Sequence, residues 1–323
     1  MATILWALWI GSASAAEPAM LELEYKVPLG QVKGRIDHLA LDVARQRLYV
    51  AELGNDTLGV IDLKNRVVLR TISGLKEPQG VGYEPGTDSV YVANTGDGSV
   101  RIYQGGNNSP MGQIDLGSDA DNVRIDAAAH RVYVGHSDGA IAVIDAASLS
   151  TVGDIHLKDH PEGFELDPAG PAMWINIPDH REIAVVDRAS GRQVASWPME
   201  QWGGNFPMAL QSDRGRLVVV FRHPARLALF DTRTGQVLDS TEACGDSDDV
   251  FVDAKRRRLY VSCGDGYIDV FSETAQGLSH SVSFPTIRGA RTALYSPELD
   301  RLFLAARASG NSPASVWVLK VTP

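Results

Sequence analysis

The chain has 323 residues, of which 44% are hydrophobic and 22% are charged, a composition typical of a globular protein with a sizeable core. Its formal net charge is −10 at pH 7, which argues against a nucleic-acid partner because phosphate binding needs clustered lysine and arginine. The one basic run, at residues 255–258, is short and is typical of a solvated turn between strands. We therefore expect no nucleic-acid partner.

The first 16 residues have the pattern of a secretory signal peptide. An apolar run at 4–10 precedes small residues and an A-x-A sequence at 13–15, which predicts cleavage after Ala15 or Ala16. No lysine or arginine precedes the apolar run, and in this respect the segment departs from the usual pattern. No other apolar run is long enough to span a bilayer. We expect an exported protein, periplasmic or secreted, without a transmembrane segment.

From about Leu21 onward the chain repeats one pattern approximately every 42 residues. Each unit centres on a triplet similar to Leu-Tyr-Val, whose middle residues are Tyr49, Tyr91, Tyr133, Trp174, Val218, Tyr260 and Phe303. The successive steps are 42, 42, 41, 44, 42 and 43 residues. Seven units therefore fill the chain, and we expect residues 17–323 to form one domain.

The first unit illustrates the four strands that each unit predicts. Its strand signals, Leu39–Asp42, Arg47–Ala51, Leu58–Leu63 and Val67–Ile72, alternate apolar and polar residues between gaps rich in Gly, Asn and Asp. No sustained 3.6-residue periodicity occurs, so helix content should be very low. Four strands at this period are the signature of a β-propeller blade. The predicted fold is all-β: a seven-bladed β-propeller of four-stranded antiparallel blades.

The last unit has signals for only three strands, Thr292–Ser296, Arg301–Ala306 and Ser315–Val321. A spare strand signal, Leu21–Leu29, lies at the other end of the chain and matches the fourth-strand position of other units. We therefore predict that the N-terminal strand completes the last blade. Closing the ring in this way leaves no broken interface between the first and last blades.

Two segments of the repeat resemble a known family. Residues 48–51 read L-Y-V-A and residues 90–94 read V-Y-V-A-N, each followed by a strand similar to V-I-D. They resemble the YVTN-type repeats of bacterial β-propellers, and the resemblance covers essentially the whole mature chain. It implies a binding or scaffold protein of the periplasm or cell surface. Related propellers are subunits of quinone- or haem-linked dehydrogenases, and others hydrolyse lactones.

The residues just before each first strand should surround the mouth of the central channel. In this chain they differ from unit to unit, whereas the core positions repeat, and such divergence lets a symmetric scaffold form an asymmetric site. The predicted ligand-binding residues are Asp37, His38, Gln79, Asp121, Asn122, Glu162, Asn205, Asp248, Asp249 and Arg291. The alternative interpretation is that they are solvated loop residues around a water-filled channel.

Several of these residues are carboxylates, which would raise one another's pKa or require a positive counter-charge. Arg291 and Arg124 could supply that charge, and so could a divalent cation with oxygen ligands, such as calcium. The candidate metal ligands are Glu162, Asp248 and His38. Five histidines are predicted at this face, and no two of them have a local ligand spacing, so the sequence leaves the presence of a metal open: His38, His136, His160, His180 and His223.

The two cysteines belong to the sixth unit. Cys244 leads into its first strand and Cys263 ends its second strand, so both lie at the same end of adjacent antiparallel strands. This placement favours a disulfide between them. Buried free thiols and thiolate metal ligation are the alternatives.

The first functional interpretation is a monomeric binding or scaffold propeller that holds a small molecule or a segment of a periplasmic protein at the mouth. The second is a metal-dependent hydrolase of the lactonase type, with ligands among Glu162, Asn122, Asn205 and Asp248 and with His38 as base. The third is an accessory subunit of a periplasmic redox enzyme. No nucleophile elbow, P-loop, haem-attachment or H-E-x-x-H motif occurs, so binding is favoured over catalysis.

Overall fold

The computed structural model describes residues 19–137 and 139–323. The predicted signal peptide, residues 1–16, lies outside the described residues. The described chain forms seven four-stranded antiparallel sheets, which are the seven blades of a β-propeller. The predicted fold is therefore confirmed.

The strands are numbered in chain order. The first strand, β1 (Leu21–Pro28), is the outermost strand of blade 7. From the channel outward, blade 1 contains β2 (Leu39–Asp42), β3 (Arg47–Glu52), β4 (Thr57–Asp62) and β5 (Val67–Ser73). Blade 2 contains β6 (Pro78–Glu84), β7 (Ser89–Asn94), β8 (Ser99–Gln104) and β9 (Pro110–Asp115). Blade 3 contains β10 (Val123–Asp126), β11 (Arg131–His136), β12 (Ala140–Asp145) and β13 (Ser150–His156).

The remaining blades follow the same order. Blade 4 contains β14 (Phe164–Leu166), β15 (Ala172–Ile177), β16 (Glu182–Asp187) and β17 (Arg192–Pro198). Blade 5 contains β18 (Gly203–Gln211), β19 (Arg216–His223), β20 (Ala225–Asp231) and β21 (Val237–Glu242). Blade 6 contains β22 (Ser247–Asp253), β23 (Arg258–Cys263), β24 (Tyr267–Thr274) and β25 (Gly277–Pro285). Blade 7 contains β26 (Ala293–Ser296), β27 (Arg301–Ala306), β28 (Ser315–Val321) and finally β1.

Helical structure in the described residues is limited to three short 3₁₀ helices, Leu53–Asn55, Pro178–His180 and Ser212–Arg214. None of the described helices has the length and apolar character needed to cross a bilayer. The low helix content follows from the sequence, because its apolar residues recur with the period of a strand and not with that of a helix.

The core lies between the blades. The middle residues of the repeated triplets are all buried: Tyr49, Tyr91, Tyr133, Trp174, Val218, Tyr260 and Phe303. Between blades 1 and 2, for example, Tyr49 and Val60 pack with Val81 and Val92 in one apolar cluster. Because each blade buries both of its faces against neighbours, closing the ring leaves no blade face exposed.

The N-terminal strand closes the ring as predicted. β1 pairs antiparallel with β28, with Leu21 opposite Val321 and Val27 opposite Val316. The side chain of Val27 packs in the cluster on the blade 1 side of blade 7, and Leu21 packs in the cluster on the blade 6 side. β1 therefore contributes to the packing of blade 7 against both of its neighbours, blade 1 and blade 6.

Cys244 and Cys263 form the predicted disulfide, with a distance of 5.9 Å between their Cα atoms. Cys263 is fully buried at the end of β23, and Cys244 begins the segment that leads into β22. The bond therefore ties the entry of the innermost strand of blade 6 to its neighbour. Asp246 lies in that entry segment, and Asp248 and Asp249 follow at the start of β22, where both line the channel.

Replacing both cysteines, as Cys244→Ser with Cys263→Ser, is expected to lower the free energy of unfolding by about 3 kcal/mol. The physical reason is that a bond across 19 residues restricts the unfolded chain more than the folded one. Chemical denaturation of the variant and of the oxidised protein measures the difference. Equal stability of the two proteins would show that the disulfide does not constrain the unfolded state.

Candidate functional site

The seven innermost strands surround a channel that contains a cavity of about 470 Å³. Five of the ten predicted site residues line this cavity: His38, Asn122, Glu162, Asp248 and Asp249. They lie at or just before the start of an innermost strand, and we call this end of the channel the mouth. Farther along the channel, the wall is formed mainly by apolar residues of the innermost strands, such as Val81, Val123 and Met208.

Close backbone contacts between neighbouring blades bring the mouth residues together. A Cβ atom added at Gly80 would lie 2.0 Å from the carbonyl oxygen of Asp121, and one added at Gly163 would lie 2.5 Å from that of Phe206. The backbone N–H of Gly163 also donates to the carbonyl of Phe206 at 3.1 Å. Only glycine permits these approaches. Glycine at 80 and at 163 therefore lets the backbones of neighbouring blades approach this closely.

His38 lies between two carboxylates. Its Nδ1 is 3.7 Å from Oδ1 of Asp249, and its Nε2 is 3.7 Å from Oδ1 of Asp37. Burial opposes the positive charge, but the negative charges of Asp249, Asp37 and Asp121 outweigh it and raise the pKa of His38 to about 9. The neighbouring carboxylates therefore favour the protonated, cationic form of the imidazole.

Asp37 is fully buried beside His38, and its Oδ2 lies 2.7 Å from Nη2 of Arg35. The same nitrogen of Arg35 donates to Oε1 of Gln79 at 3.3 Å. Burial raises the pKa of Asp37 against the opposing charges of His38 and Arg35. Asp37 and Gln79 both contact Arg35 but do not line the cavity. The predicted residues Asp121 and Arg291 do not line it either.

Two arginines hold Asp248. Nη2 of Arg222 lies 2.5 Å from its Oδ1, and Nε of Arg291 lies 3.1 Å from its Oδ2. Nη1 of Arg291 also donates to Oδ1 of Asp246 at 2.6 Å. The guanidinium of Arg222 stacks on the ring of Phe206 at 3.7 Å from its centroid. The sequence prediction included Arg291 but missed Arg222, which comes from the end of a second strand.

Asp121 and Glu162 differ from the other carboxylates of the mouth. Among the described residues, neither forms an ion pair within 4.0 Å, and Oδ1 of Asp121 is buried without a hydrogen-bond partner. Burial, followed by the charge of Glu162, raises the pKa of Asp121 to about 7. Burial, followed by the charge of Asp248, raises the pKa of Glu162 to about 7. Each is therefore only partly ionised at neutral pH.

The other predicted residues have more local roles. Burial raises the pKa of Asp249 to about 6, and its Oδ2 accepts the backbone N–H of Ala293 at 2.8 Å. Asn205 is fully buried inside β18 and does not line the cavity. Its side-chain N–H groups donate to Oδ1 of Asn176 and to the carbonyl of Glu182, each at 3.0 Å. Asn205 therefore joins blades 4 and 5.

A further ion pair lies in the wall of the channel, between Arg124 and Glu165. Nε of Arg124 is 3.6 Å from Oε1 of Glu165, and both residues belong to innermost strands. The Arg124 guanidinium also lies 5.4 Å from the ring centroid of Phe164. Sequence analysis considered Arg124 as a counter-charge but missed Glu165. Arg124 therefore already has a counter-charge, the carboxylate of Glu165.

The proposed metal ligands do not assemble into a coordination set. Across residues 19–137 and 139–323, no group of three or more His, Cys, Asp or Glu side chains is placed to hold one ion. Glu162, Asp248 and His38 share the mouth, but Asp248 is bound by arginines and His38 is itself cationic. This geometry does not fit calcium or a transition metal, which need several converging ligands.

A second cavity, of about 460 Å³, lies away from the channel beside Cys244. It contains Ser283, His280 and Asp269, the residue types of a hydrolytic triad. However, both Ser283 Oγ and Asp269 Oδ1 approach the same nitrogen, Nε2 of His280, at 3.1 and 3.3 Å. The serine also donates directly to the aspartate at 2.6 Å. A triad needs the aspartate on the other imidazole nitrogen, so this cluster lacks that arrangement.

Comparison with known proteins shows the fold. A chain in the crystal structure of a mitotic checkpoint complex superposes with a TM-score of 0.80 at 14% identity, covering 100% of both chains. A chain of hydrazine synthase from Kuenenia stuttgartiensis superposes with a TM-score of 0.77 at 18% identity, covering 90% of this chain and 98% of that one. No family model and no curated protein sequence matches the chain. At these identities the likeness concerns the β-propeller alone.

The substitution Glu162→Gln is expected to stabilise the protein at pH 8 by about 1–3 kcal/mol. The folded-state pKa is about 7, above the ordinary value of 4.5. Protonation of Glu162 therefore contributes fully to the free energy of unfolding below about pH 4.5. This contribution is lost as the pH rises through 7. Glutamine stays neutral, so the variant avoids this loss. Denaturant unfolding at pH 5 and pH 8 measures the effect.

Glu22→Gln, on the exposed outer strand β1, is the control because it removes the same formal charge far from the channel. It should change stability little at either pH. If Glu162→Gln is destabilising at pH 8, the carboxylate is compensated in the folded state and the account of its burial is wrong.

Proposed function

We propose that the protein is a binding propeller that holds a small polar ligand at the mouth of its channel. The observation that carries the proposal is the 470 Å³ cavity, whose mouth is lined by Glu162, a carboxylate that forms no ion pair within 4.0 Å in the described residues, beside the paired side chains of Asp248 and His38. A ligand that donates hydrogen bonds to Glu162 would gain a partner there without breaking an ion pair. The rigid blades hold these groups in position before a ligand arrives, which favours binding.

The arrangement of the side chains at the mouth supports ligand binding better than it supports the two alternative functions, a hydrolase and a redox subunit. A lactonase-type hydrolase needs a metal and a neutral base, but the donors are dispersed and the pKa of His38 is raised to about 9. For a redox subunit, the likeness to hydrazine synthase concerns the fold alone. Apart from Glu162, the charged groups that line the mouth form ion pairs, which fix a polar surface.

We also propose that the protein is exported and belongs with the YVTN-type bacterial propellers. The disulfide supports export, because such bonds persist in oxidising compartments. The apolar run and the A-x-A sequence near the N-terminus support it as well. The repeated L-Y-V-A sequence and the propeller fold support the family proposal.

Native mass spectrometry of the full chain tests the binding function. The purified protein is incubated with a small-molecule extract of bacterial cells, separated from unbound compounds and weighed intact. We expect a discrete added mass on the wild-type protein and on Glu22→Gln. The bulky, cationic substitution Glu162→Arg should abolish it while leaving the circular dichroism spectrum unchanged.

Two outcomes would overturn the proposed function. The first is that no compound is retained by the wild-type protein. The second is that Glu162→Arg retains the same compound as the wild-type protein, which would place the binding site outside the mouth. Glu22→Gln excludes a general effect of charge, because it lies on the outer strand of blade 7.

A further inference from the structure

The charged side chains that line the mouth are mostly occupied by one another. Asp248 is held by two arginines, Arg222 and Arg291. Nδ1 of His38 lies 3.7 Å from Oδ1 of Asp249. An anionic ligand would have to break one of these ion pairs to reach a positive charge. The paired side chains therefore do not favour an anion as the ligand of the mouth.

Asn122 and Glu162 line the same cavity and have hydrogen-bonding capacity to spare. Asn122 is only 3% exposed. Across residues 19–137 and 139–323 its side-chain amide has no hydrogen-bond partner, although its backbone carbonyl accepts the N–H of Gly135 at 3.0 Å. The carboxylate of Glu162 has no such partner there either. A nearly buried amide without a partner is unusual, so the mouth offers one amide and one carboxylate to a ligand.

These two residues and Phe206 enter the channel from three consecutive blades, 3, 4 and 5. A Cβ atom added at Gly135, which binds the backbone of Asn122, would lie 3.1 Å from Cγ of Pro161, the residue before Glu162. On the other side, the backbone N–H of the residue after Glu162 donates to the carbonyl of Phe206 at 3.1 Å. Contacts between the blade entries therefore bring the amide, the carboxylate and the aromatic ring to one side of the mouth.

Resting on the proposed function, we propose that the ligand of the mouth is a neutral polyhydroxylated ring, with the chemistry of a monosaccharide, whose hydroxyl groups bind Glu162 and Asn122. A hydroxyl group both donates and accepts a hydrogen bond. Neighbouring hydroxyls can donate to the two oxygens of Glu162 in charge-assisted bonds, and a hydroxyl oxygen can accept an N–H of Asn122. Such a ligand uses both free groups and leaves every ion pair of the mouth in place.

Other classes of ligand match these two side chains less well. An ammonium group donates to a carboxylate but accepts nothing, so it would leave the N–H groups of Asn122 without a partner. A secondary amide supplies one N–H, which is fewer than the oxygens of Glu162 and Asn122 can accept. A metal ion needs several converging ligands, and no group of three ligating side chains converges in the described residues.

The rest of the cavity suits a ring that carries C–H groups on its faces. Phe206 lines the cavity and is half-buried, so part of its aromatic ring is available for contact with such C–H groups. Farther along the channel the wall is apolar, with Val81 and Met208 among its residues. The volume of about 470 Å³ accommodates a small cyclic molecule and not a folded protein segment.

Saturation-transfer NMR titrations of the full chain test the proposal. The probes are the methyl α-D-pyranosides of glucose, galactose and mannose, which differ only in the orientation of their hydroxyl groups. The comparison compounds are cyclohexylamine, which is cationic, glutarate, which is dianionic, and N-acetylglycinamide, which is a neutral amide. At pH 8 we expect at least one glycoside to bind at least about tenfold more tightly than each comparison compound, a difference of about 1.4 kcal/mol.

The variants Glu162→Gln and Asn122→Leu test the two polar contacts. Each keeps the approximate shape of the side chain, and the first removes the charge whereas the second removes both the donor and the acceptor. Each should weaken the tightest glycoside at least about tenfold, because a hydrogen bond of a nearly buried group is lost. The control Glu22→Gln, on the outer strand β1, should change the affinity by less than about twofold. Thermal unfolding of each variant shows that it is folded.

Tighter binding of any comparison compound than of all three glycosides would overturn the polyhydroxylated-ring proposal and leave the proposed binding function intact. Unchanged glycoside affinity in both folded variants would also overturn it, because the hydroxyl groups would then bind elsewhere. If none of the compounds binds, the polyhydroxylated-ring proposal fails, and the proposed function is then decided by the native mass spectrometry of retained compounds.

Discussion

A chain that begins at Leu29, and so lacks β1, is expected to lose its cooperative folded state and to aggregate. Without β1, blade 7 has three strands, and the hydrogen-bonding edge of β28 is exposed. The clusters on both sides of the blade also lose the buried side chains of Leu21 and Val27. Size-exclusion chromatography and thermal unfolding by circular dichroism measure the loss.

A synthetic peptide of residues 19–30 should restore the folded monomer when it is added during refolding. Such strand addition is a known mode of peptide binding. The same peptide with Val27→Asp should fail, because the side chain at 27 is fully buried and a charge there would be unpaired. A truncated chain that unfolds at the melting temperature of the full chain would contradict closure of the ring by β1.

The second large effect is expected for Tyr260→Ala, which should lower the free energy of unfolding by about 3–5 kcal/mol. Tyr260 is fully buried in β23, and its ring lies 5.3 Å from that of Tyr295. Its hydroxyl donates to Oδ2 of Asp253 at 2.8 Å. Truncation would leave a cavity between blades 6 and 7 and remove a donor from a buried carboxylate. Denaturant unfolding measures the change.

Tyr260→Phe separates the two contributions, because it keeps the ring and removes only the hydroxyl. We expect it to cost about 1–2 kcal/mol. Asp253 would retain the guanidinium of Arg256 at 3.0 Å, which limits the loss. If Tyr260→Ala costs no more than Tyr260→Phe, the ring does not contribute to packing between the blades as described.

The fold could be predicted from the sequence because the repeat expresses the same physical requirement seven times. Each unit must bury both faces of a small sheet, and this fixes apolar residues such as Tyr49 and Tyr91 at equal intervals. The last unit lacks a fourth strand, and a spare strand lies before the first unit at Leu21–Pro28. Together these two features imply that the N-terminal strand closes the ring. Of the four strands predicted in the first unit, Leu39–Asp42 has the predicted bounds, and the other three differ by one residue at one or both ends.

The candidate site could be predicted only in part, because successive residues of an extended chain point in opposite directions. The sequence placed Asp37 and His38 together before a first strand. In the structure His38 lines the cavity, whereas Asp37 is buried behind it. The position of a residue in the repeat does not show which of these two directions its side chain takes.

Blade 5 departs from the repeat in a way that the sequence does not show. Its innermost strand, Gly203–Gln211, starts earlier than the repeat predicts, and its pairing with β19 shifts between Asn205 and Met208. The irregularity holds Asn205 inside the strand, against Asn176. Arg222, at the end of β19, reaches Asp248 of the next blade. Such contacts between blades depend on geometry that the spacing of one unit does not encode.

The central claim is that the mouth of the channel is a ligand site, and a crystal structure of the protein with its retained compound tests it most directly. We expect electron density for the compound inside the 470 Å³ cavity, with a donor about 3 Å from the carboxylate of Glu162. Density for the compound elsewhere on the protein, with only water beside this carboxylate, would contradict the claim.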